Sequence, residues 1–261
     1  MGVKAHQLEA IAADLAPLYG PETIVLPAQN GIPGWYFFKH GGPHDGRQLV
    51  SVDPNGVIAA NVPIDRVIGA IIYPAAEIVE PCVIRHIEGN RISVSEIDNS
   101  ETPRVKLLSE TLRKAGFKAP VVSDIRSELW IKLWGNLSFN PISALTHATL
   151  EDLCRFPLTR ELAVTMMREA QAVGEALGIR FRISIEKRIA GAEAVGKHKT
   201  SMLQDIELGR AIEADALLGS VIELGRITGV ATPHLDSVHA LAKLLNHTLQ
   251  ERQGRLSITP R

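Results

Sequence analysis

Three polar residues interrupt an apolar run between residues 129 and 141. The run holds two tryptophans, three leucines, an isoleucine and a phenylalanine, which predicts a buried helix rather than a surface helix. Lys132, Asn136 and Asn140 are spaced i, i+4 and i+8, so each step turns about 40° and the three side chains form one narrow polar stripe. An ammonium and two carboxamides on a buried helix need polar partners, which predicts a ligand cavity.

An isolated lysine at such a position has a second interpretation. Its stem packs against apolar neighbours while its head group reaches water, and this is the more common arrangement for a single lysine. The two aligned asparagines favour the ligand cavity instead.

Composition excludes several classes of protein. The 261 residues include 28 basic and 29 acidic side chains, with few aromatics and no basic block, which argues against binding to nucleic acid. No apolar run is long enough to cross a membrane, and the start lacks the pattern of a signal peptide, so we expect a soluble cytoplasmic protein. Cys82 and Cys154 have no ligand pattern nearby and are predicted to be buried free thiols, and no metal site is predicted.

The first 123 residues contain mixed helix and strand patterns. An amphipathic helix is predicted from Leu8 to Leu18 and another from Thr102 to Ala115, with Gly116 as its cap. Strands are predicted at 23–27, 49–52, 67–73, 83–86, 91–94 and 119–122, with 83–86 and 91–94 paired as a hairpin around Gly89 and Asn90. Asn30 and Gly31 form either a plain turn or a ligand-bearing turn after the first strand.

Only helices are predicted after residue 123. Ser123 or Asp124 caps the helix that carries the polar stripe. Further helices are predicted at 158–177, from Ser184 to near Gly196, from Ser201 to about Thr228 with Ser201 as the capping residue, and at 234–250, followed by a frayed tail over 251–261. The compositional change predicts two domains, 1–123 of α/β type and 124–261 all-α.

Several segments together resemble those of the 2-dehydropantoate 2-reductase (ketopantoate reductase) family. The matching segments are residues 2–8, Gln29 to Pro33, Leu129 to Pro141, and His198 to Asp205 followed by Glu213, and they occur in the order typical of the family. The resemblance implies an incomplete Rossmann-like NADP-binding domain followed by a helical domain of the 6-phosphogluconate dehydrogenase C-terminal-like type. It also implies NADPH-dependent reduction of 2-dehydropantoate to pantoate, a step of pantothenate and coenzyme A biosynthesis.

The resemblance also assigns roles to individual residues. It implies that Lys132 is the catalytic lysine, that Glu213 is its acidic partner at the substrate hydroxyl, and that Lys4 and Asn30 belong to the cofactor side. Asn136, Asn140 and Ser201 are implied to bind substrate. The sequence around Glu96 departs from the family's glycine-glutamate-proline pattern, so no ligand role is assigned to it.

The chemistry fits these roles, because hydride delivered to a ketone carbon leaves an alkoxide that must be stabilised and protonated. A partly buried lysine does both. From the residues alone, Glu213 is equally well interpreted as an exposed helix residue.

The sequence has no G-x-G turn to receive a dinucleotide pyrophosphate. The 261 residues therefore match a reductase without its first βαβ unit, and weak NADPH binding is expected. The alternatives are a reductase of another branched 2-keto acid and a non-catalytic helical binding or dimerisation module. The apolar faces of the C-terminal helices predict a homodimer through that domain.

Overall fold

A computed structural model describes residues 1–254 of the chain in two compact units, Met1–Leu129 and residues from Trp130 onward. Of the tail predicted at 251–261, residues 255–261 lie outside the described residues. None of the helices within 1–254 is both long enough and apolar enough to span a membrane.

The N-terminal unit is built on a short sheet. Strands β1 (Ile68–Ile72) and β4 (Ile92–Glu96) pair antiparallel, and single parallel bridges add Val25 beside Val67 and Val121 beside Val94. The predicted strands at 23–27 and 119–122 are therefore reduced to isolated bridges. Apolar side chains of both strands pack with Val105 of helix α3 (Pro103–Lys114) in one core.

The predicted hairpin between 83–86 and 91–94 is wrong. Strand β3 (Val83–Glu88) pairs instead with β2 (Ala75–Glu80), which the sequence pattern did not indicate. Both strands are largely exposed, whereas β4 is buried throughout, because pairing with β1 places its apolar side chains in the core beside Val105 of α3. Cys82, at the β2–β3 turn, has φ 64° and is exposed, contrary to the prediction that both thiols are buried.

The predicted strand at 49–52 is also wrong, because these residues form turns. Asp53 explains the difference: its carboxylate accepts hydrogen bonds from the backbone of Ile58 and Ala59 at 3.0 and 2.9 Å and fixes the start of helix α2 (Val57–Asn61). The predicted first helix is a short α1 (Leu8–Ala12) between 3-10 turns, with Pro17 inside the second. The predicted α3 is confirmed, with Thr102 as N-cap and Gly116 at φ 95°.

The C-terminal unit is helical. Its long helices confirm those predicted at 158–177, 184–196 and 234–250. The elements are α4 (Ile125–Thr146), which begins in the N-terminal unit, α5 (Leu150–Arg155), α6 (Pro157–Ala176), α7 (Ile185–Ala194), α8 (Ser201–Glu207), a π-helix (Asp215–Gly219), α9 (Ser220–Thr228) and α10 (Pro233–Glu251).

The division between the units falls inside α4, a few residues after the compositional change at 123. Arg126 explains why the first turn of α4 belongs with the N-terminal unit. Its buried guanidinium donates to the carbonyls of Tyr36, Phe38 and Ile97 at 2.8, 2.9 and 2.6 Å. A charge-assisted donor shared by three carbonyls ties α4 to two loops of that unit.

Candidate active site

Helix α4 carries the polar stripe, and its start is defined by local hydrogen bonds. Asp124 accepts from the backbone and hydroxyl of Ser127 at 3.0 and 2.6 Å, so the predicted cap is confirmed at Asp124. Asn99 accepts from the Ile125 backbone at 3.0 Å. Near the other end, Pro141 has no N–H for the carbonyl of Leu137, so one backbone hydrogen bond of the helix is missing there, although α4 continues to Thr146.

An aromatic cluster holds the other side of α4. Trp134 follows Lys132 by two residues, about 200° round the helix, and stacks on Phe181 with ring centroids 4.3 Å apart. Trp130 meets the same ring edge-on at 6.3 Å. Both tryptophans are fully buried, which fixes the rotation of α4 and so the direction of the polar stripe.

Lys132 is partly buried on this stripe, together with a partly buried Asn136 and a buried Asn140. Burial lowers the pKa of the Lys132 ammonium to about 8, while the carboxylate of Glu213 acts in the opposite direction and raises it. Glu213 is itself only 6% exposed, so it is not the surface helix residue of the alternative interpretation. The structure therefore brings the Lys132 ammonium, whose pKa is lowered, within electrostatic reach of the buried Glu213 carboxylate.

Glu213 reaches this position because the predicted helix from Ser201 to Thr228 is not continuous. Helix α8 ends at Glu207, and Gly209 follows with φ 67°, where its Cβ position would lie only 2.8 Å from the backbone of Gly254. Residues 210–213 are extended or coiled before the π-helix begins at Asp215. Glu213 therefore lies on a connection between helices and does not share a helix with Asp205, which belongs to α8.

Ser201 differs from its prediction as capping residue. The N-cap of α8 is Thr200, whose hydroxyl accepts from the backbone of Leu203 at 3.2 Å, and Ser201 is the exposed first residue of the helix. Its hydroxyl is consequently left for other partners.

Lys4 and Asn30 belong to the N-terminal unit and are both partly buried. The side chain of Gln29 donates to the carbonyls of Met1 and Val3 at 3.0 Å each, so it ties the two segments together. Gly31, which follows Asn30, has φ 91°, a conformation that favours glycine. The turn at Asn30 is therefore defined by the hydrogen bonds of Gln29 before it and by the positive φ of Gly31 after it.

Two features, one in each unit, were not predicted from the sequence. Gly135 lies in the helix interior, and a Cβ there would be 1.8 Å from Nη2 of Arg188, so the glycine lets a guanidinium lie against the backbone of α4. An interior glycine costs about 1 kcal/mol relative to alanine, which is the sequence signal that could have indicated a close approach. Glu96, to which no ligand role was assigned, is buried and accepts hydrogen bonds from Thr102 and Arg104.

The chain matches two profiles of one family, described as "Ketopantoate reductase PanE/ApbA" over residues 1–99 and as its C-terminal part over residues 124–246. It is 53% identical over 245 residues to the 2-dehydropantoate 2-reductase of Mesorhizobium japonicum, which covers 94% of this chain and 75% of that relative. A crystal structure described as a ketopantoate reductase from Ralstonia solanacearum is 39% identical, with a TM-score of 0.89 over 94% of this chain and 75% of that one.

Two more distant structures show the fold alone. A D-mandelate dehydrogenase with NADH and anilino(oxo)acetate is 22% identical, with a TM-score of 0.78 over 95% of this chain and 75% of its own. A dimeric ketopantoate reductase from Staphylococcus aureus is 21% identical, with a TM-score of 0.72 over 95% of this chain and 76% of its own. The profile matches and the identity to the first relative establish that this chain belongs to the ketopantoate reductase family.

Proposed function

We propose that the protein reduces 2-dehydropantoate to pantoate with NADPH. The observation that supports this most directly is the partly buried Lys132 beside the buried carboxylate of Glu213, on the stripe with Asn136 and Asn140. The family is one of NAD(P)-dependent reductases, and the choice of NADPH over NADH is part of the proposal. The assignment of the individual residues is likewise proposed here.

Lys132 supplies the proton. When hydride adds to C2 of the keto acid, the electron pair of the carbonyl moves to oxygen, and the ammonium of Lys132 stabilises that oxygen and protonates it. A pKa of about 8 keeps most of the lysine protonated at neutral pH and makes it a better proton donor than a solvent-exposed lysine. Solvent then returns a proton to the amine.

The other residues bind the substrate. Glu213 favours the protonated form of Lys132 and accepts a hydrogen bond from the product hydroxyl. Asn136 and Asn140 donate from their amides to the substrate carboxylate without adding a charge, and Ser201 adds a hydroxyl. These donors distinguish a 2-keto acid from a simple ketone.

The cofactor, when bound, supplies the hydride. Lys4 and Asn30 fit its polar groups in chemical type, because an ammonium suits a phosphate and an amide suits a ribose or carboxamide. The described residues do not include a G-x-G turn for the pyrophosphate, so the weak affinity for NADPH expected of the 261-residue chain stays a prediction.

The test is an assay at millimolar NADPH that follows both nucleotide oxidation and the appearance of pantoate by mass spectrometry. We expect pantoate in equal amount to the NADPH consumed, faster with 2-dehydropantoate than with 2-ketoisovalerate or phenylglyoxylate. Faster reduction of one of the other two acids would make that acid the substrate in place of 2-dehydropantoate. Absence of product from all three would favour the non-catalytic binding module.

We also infer a homodimer through the C-terminal unit. Phe156 and Leu158, at the start of α6, are 56% and 69% exposed, and Leu241 and Leu244 of α10 are 54% and 61% exposed. Apolar side chains of this size are commonly covered by a partner.

The absence of nucleic-acid binding and the cytoplasmic location stay predictions.

Light scattering at micromolar concentration is expected to give the mass of a dimer. Leu158→Lys should shift the mass toward a monomer, because it would bury a charge in the interface. Leu107→Lys, which replaces a leucine of the N-terminal unit that is 65% exposed, should not. A monomeric mass for the unaltered protein would contradict the inference.

A further inference from the structure

The connection that carries Glu213 is attached to helix α10 on both sides of that residue. On one side, the backbone N–H of Ile212 donates to Oδ1 of Asn246 at 3.0 Å. On the other side, the carboxylate of Asp215 lies 2.9 Å from Nε2 of His239 and accepts from Nζ of Lys243 at 2.6 Å. Glu213 therefore lies between two fixed points that share a single helix.

The three residues of α10 can act together because of their spacing. His239, Lys243 and Asn246 follow the i, i+4, i+7 pattern, so they lie within about 60° on one face of the helix. Helix α10 is itself fixed at its N-terminus by Glu169 of α6, which accepts from the backbone of His234 and Leu235 at 3.0 Å each. The His239 side chain is only 23% exposed and contacts the Asp215 carboxylate.

The second fixed point depends on the π-helix. A Cβ at Gly219 would lie 3.3 Å from both Oδ1 of Asp215 and Nε2 of His239, so the glycine leaves room for the pair at the end of this element. The His239 contact, together with the hydrogen bond and charge of Lys243, lowers the pKa of Asp215 to about 2 against the opposing effect of burial. The carboxylate therefore remains charged over the pH range in which a reductase is assayed. π-Helical turns are uncommon and are often found at functional sites.

We propose that Asn246, assisted by the Asp215 contacts to His239 and Lys243, is a positioning residue that holds the Glu213 carboxylate near Lys132. The inference rests on the proposed function for its catalytic meaning, but the placement of Glu213 is measurable without turnover. Asn246 does not need to contact substrate, because a hydrogen bond to the backbone next to Glu213 is enough to restrict the carboxylate.

The experiment is a titration of Lys132 in protein labelled with carbon-13 at the lysine side chains, with its signal assigned by its loss in Lys132→Met. Asn246→Leu removes the acceptor for the backbone N–H of Ile212, so the Glu213 carboxylate is no longer held near Lys132. Because that carboxylate raises the pKa of Lys132, the Lys132 titration midpoint should fall by roughly half a pH unit. Asn246→Asp keeps an acceptor oxygen and adds a negative charge, so the midpoint should stay or rise. His247→Leu, which removes an exposed side chain from the adjacent position, is the matched control and should leave the midpoint unchanged.

The steady-state readout is the basic limb of the pH profile of kcat, which should move with the Lys132 midpoint in the same variants. If Asn246→Leu fails to fold, Lys243→Met provides the second test. Loss of the Lys243 positive charge would by itself raise the titration midpoint of Lys132, so a lower midpoint would have to come from displacement of the Glu213 carboxylate. An unchanged or raised midpoint in the folded variant overturns the inference. Absence of turnover in the unaltered protein overturns the proposed function and leaves the titration interpretable.

Discussion

Replacing Lys132 with methionine is expected to lower kcat for 2-dehydropantoate by about 10² or more, the usual scale for loss of a general acid. Methionine keeps the length of the stem and removes the ammonium, so the change tests the proton donor rather than the packing of α4. KM should change far less than kcat, because the interaction of the ammonium with the developing alkoxide is strongest in the transition state.

Lys114→Met is the control for this substitution, since Lys114 is an exposed helix lysine of the N-terminal unit. It should leave kcat within a few-fold of the unaltered protein. Thermal unfolding of Lys132→Met should resemble that of the unaltered protein, because the loss of a partly buried charge offsets the loss of its attraction to Glu213. Turnover within a few-fold in Lys132→Met would remove this lysine from the mechanism.

Glu213→Gln is expected to move the basic limb of the pH–rate profile to lower pH. Proton donation needs the ammonium, and the Glu213 carboxylate raises the pKa of Lys132 against the stronger effect of burial. Without that carboxylate the pKa falls below about 8, so the protonated fraction is lost at a lower pH. The rate should therefore fall by about tenfold near pH 9 and by much less near pH 6.5.

The pH-dependent loss separates this electrostatic role from a role in binding alone. If the rate of Glu213→Gln fell by the same factor at every pH and the basic limb of the pH–rate profile did not move, Glu213 would contribute contacts to substrate but would not favour the protonated form of Lys132. Glu251→Gln removes a carboxylate that is 65% exposed in α10 and should leave the profile in place.

The parts of the site that were predictable lie within one helix. Lys132, Asn136 and Asn140 share a face by helix geometry alone, and the cap at Asp124 follows from a local hydrogen bond. Glu213 could be assigned only through the family resemblance, because its position depends on where α8 ends and on contacts with Asn246 and Asp215. None of these is a local property.

The wrong predictions have the same origin. Thr200 and Ser201 are both good capping residues, and local sequence does not decide between them. The partner of β3 depends on which strand is buried, a property of the folded unit rather than of residues 83–86. The strand predicted at 49–52 does not form, because the Asp53 carboxylate accepts hydrogen bonds from backbone N–H groups of the helix that follows.

The two cysteines differ in reactivity in a way that has a practical use. Burial raises the pKa of the Cys154 thiol to about 11, so almost none of it is present as the reactive thiolate at neutral pH, whereas Cys82 is exposed at the β2–β3 turn. A maleimide added to the folded protein should therefore form one adduct per chain. A dye, a spin label or a surface linker can be attached at Cys82 without altering the sequence, and the helix that carries Lys132 and the connection that carries Glu213 keep all their side chains.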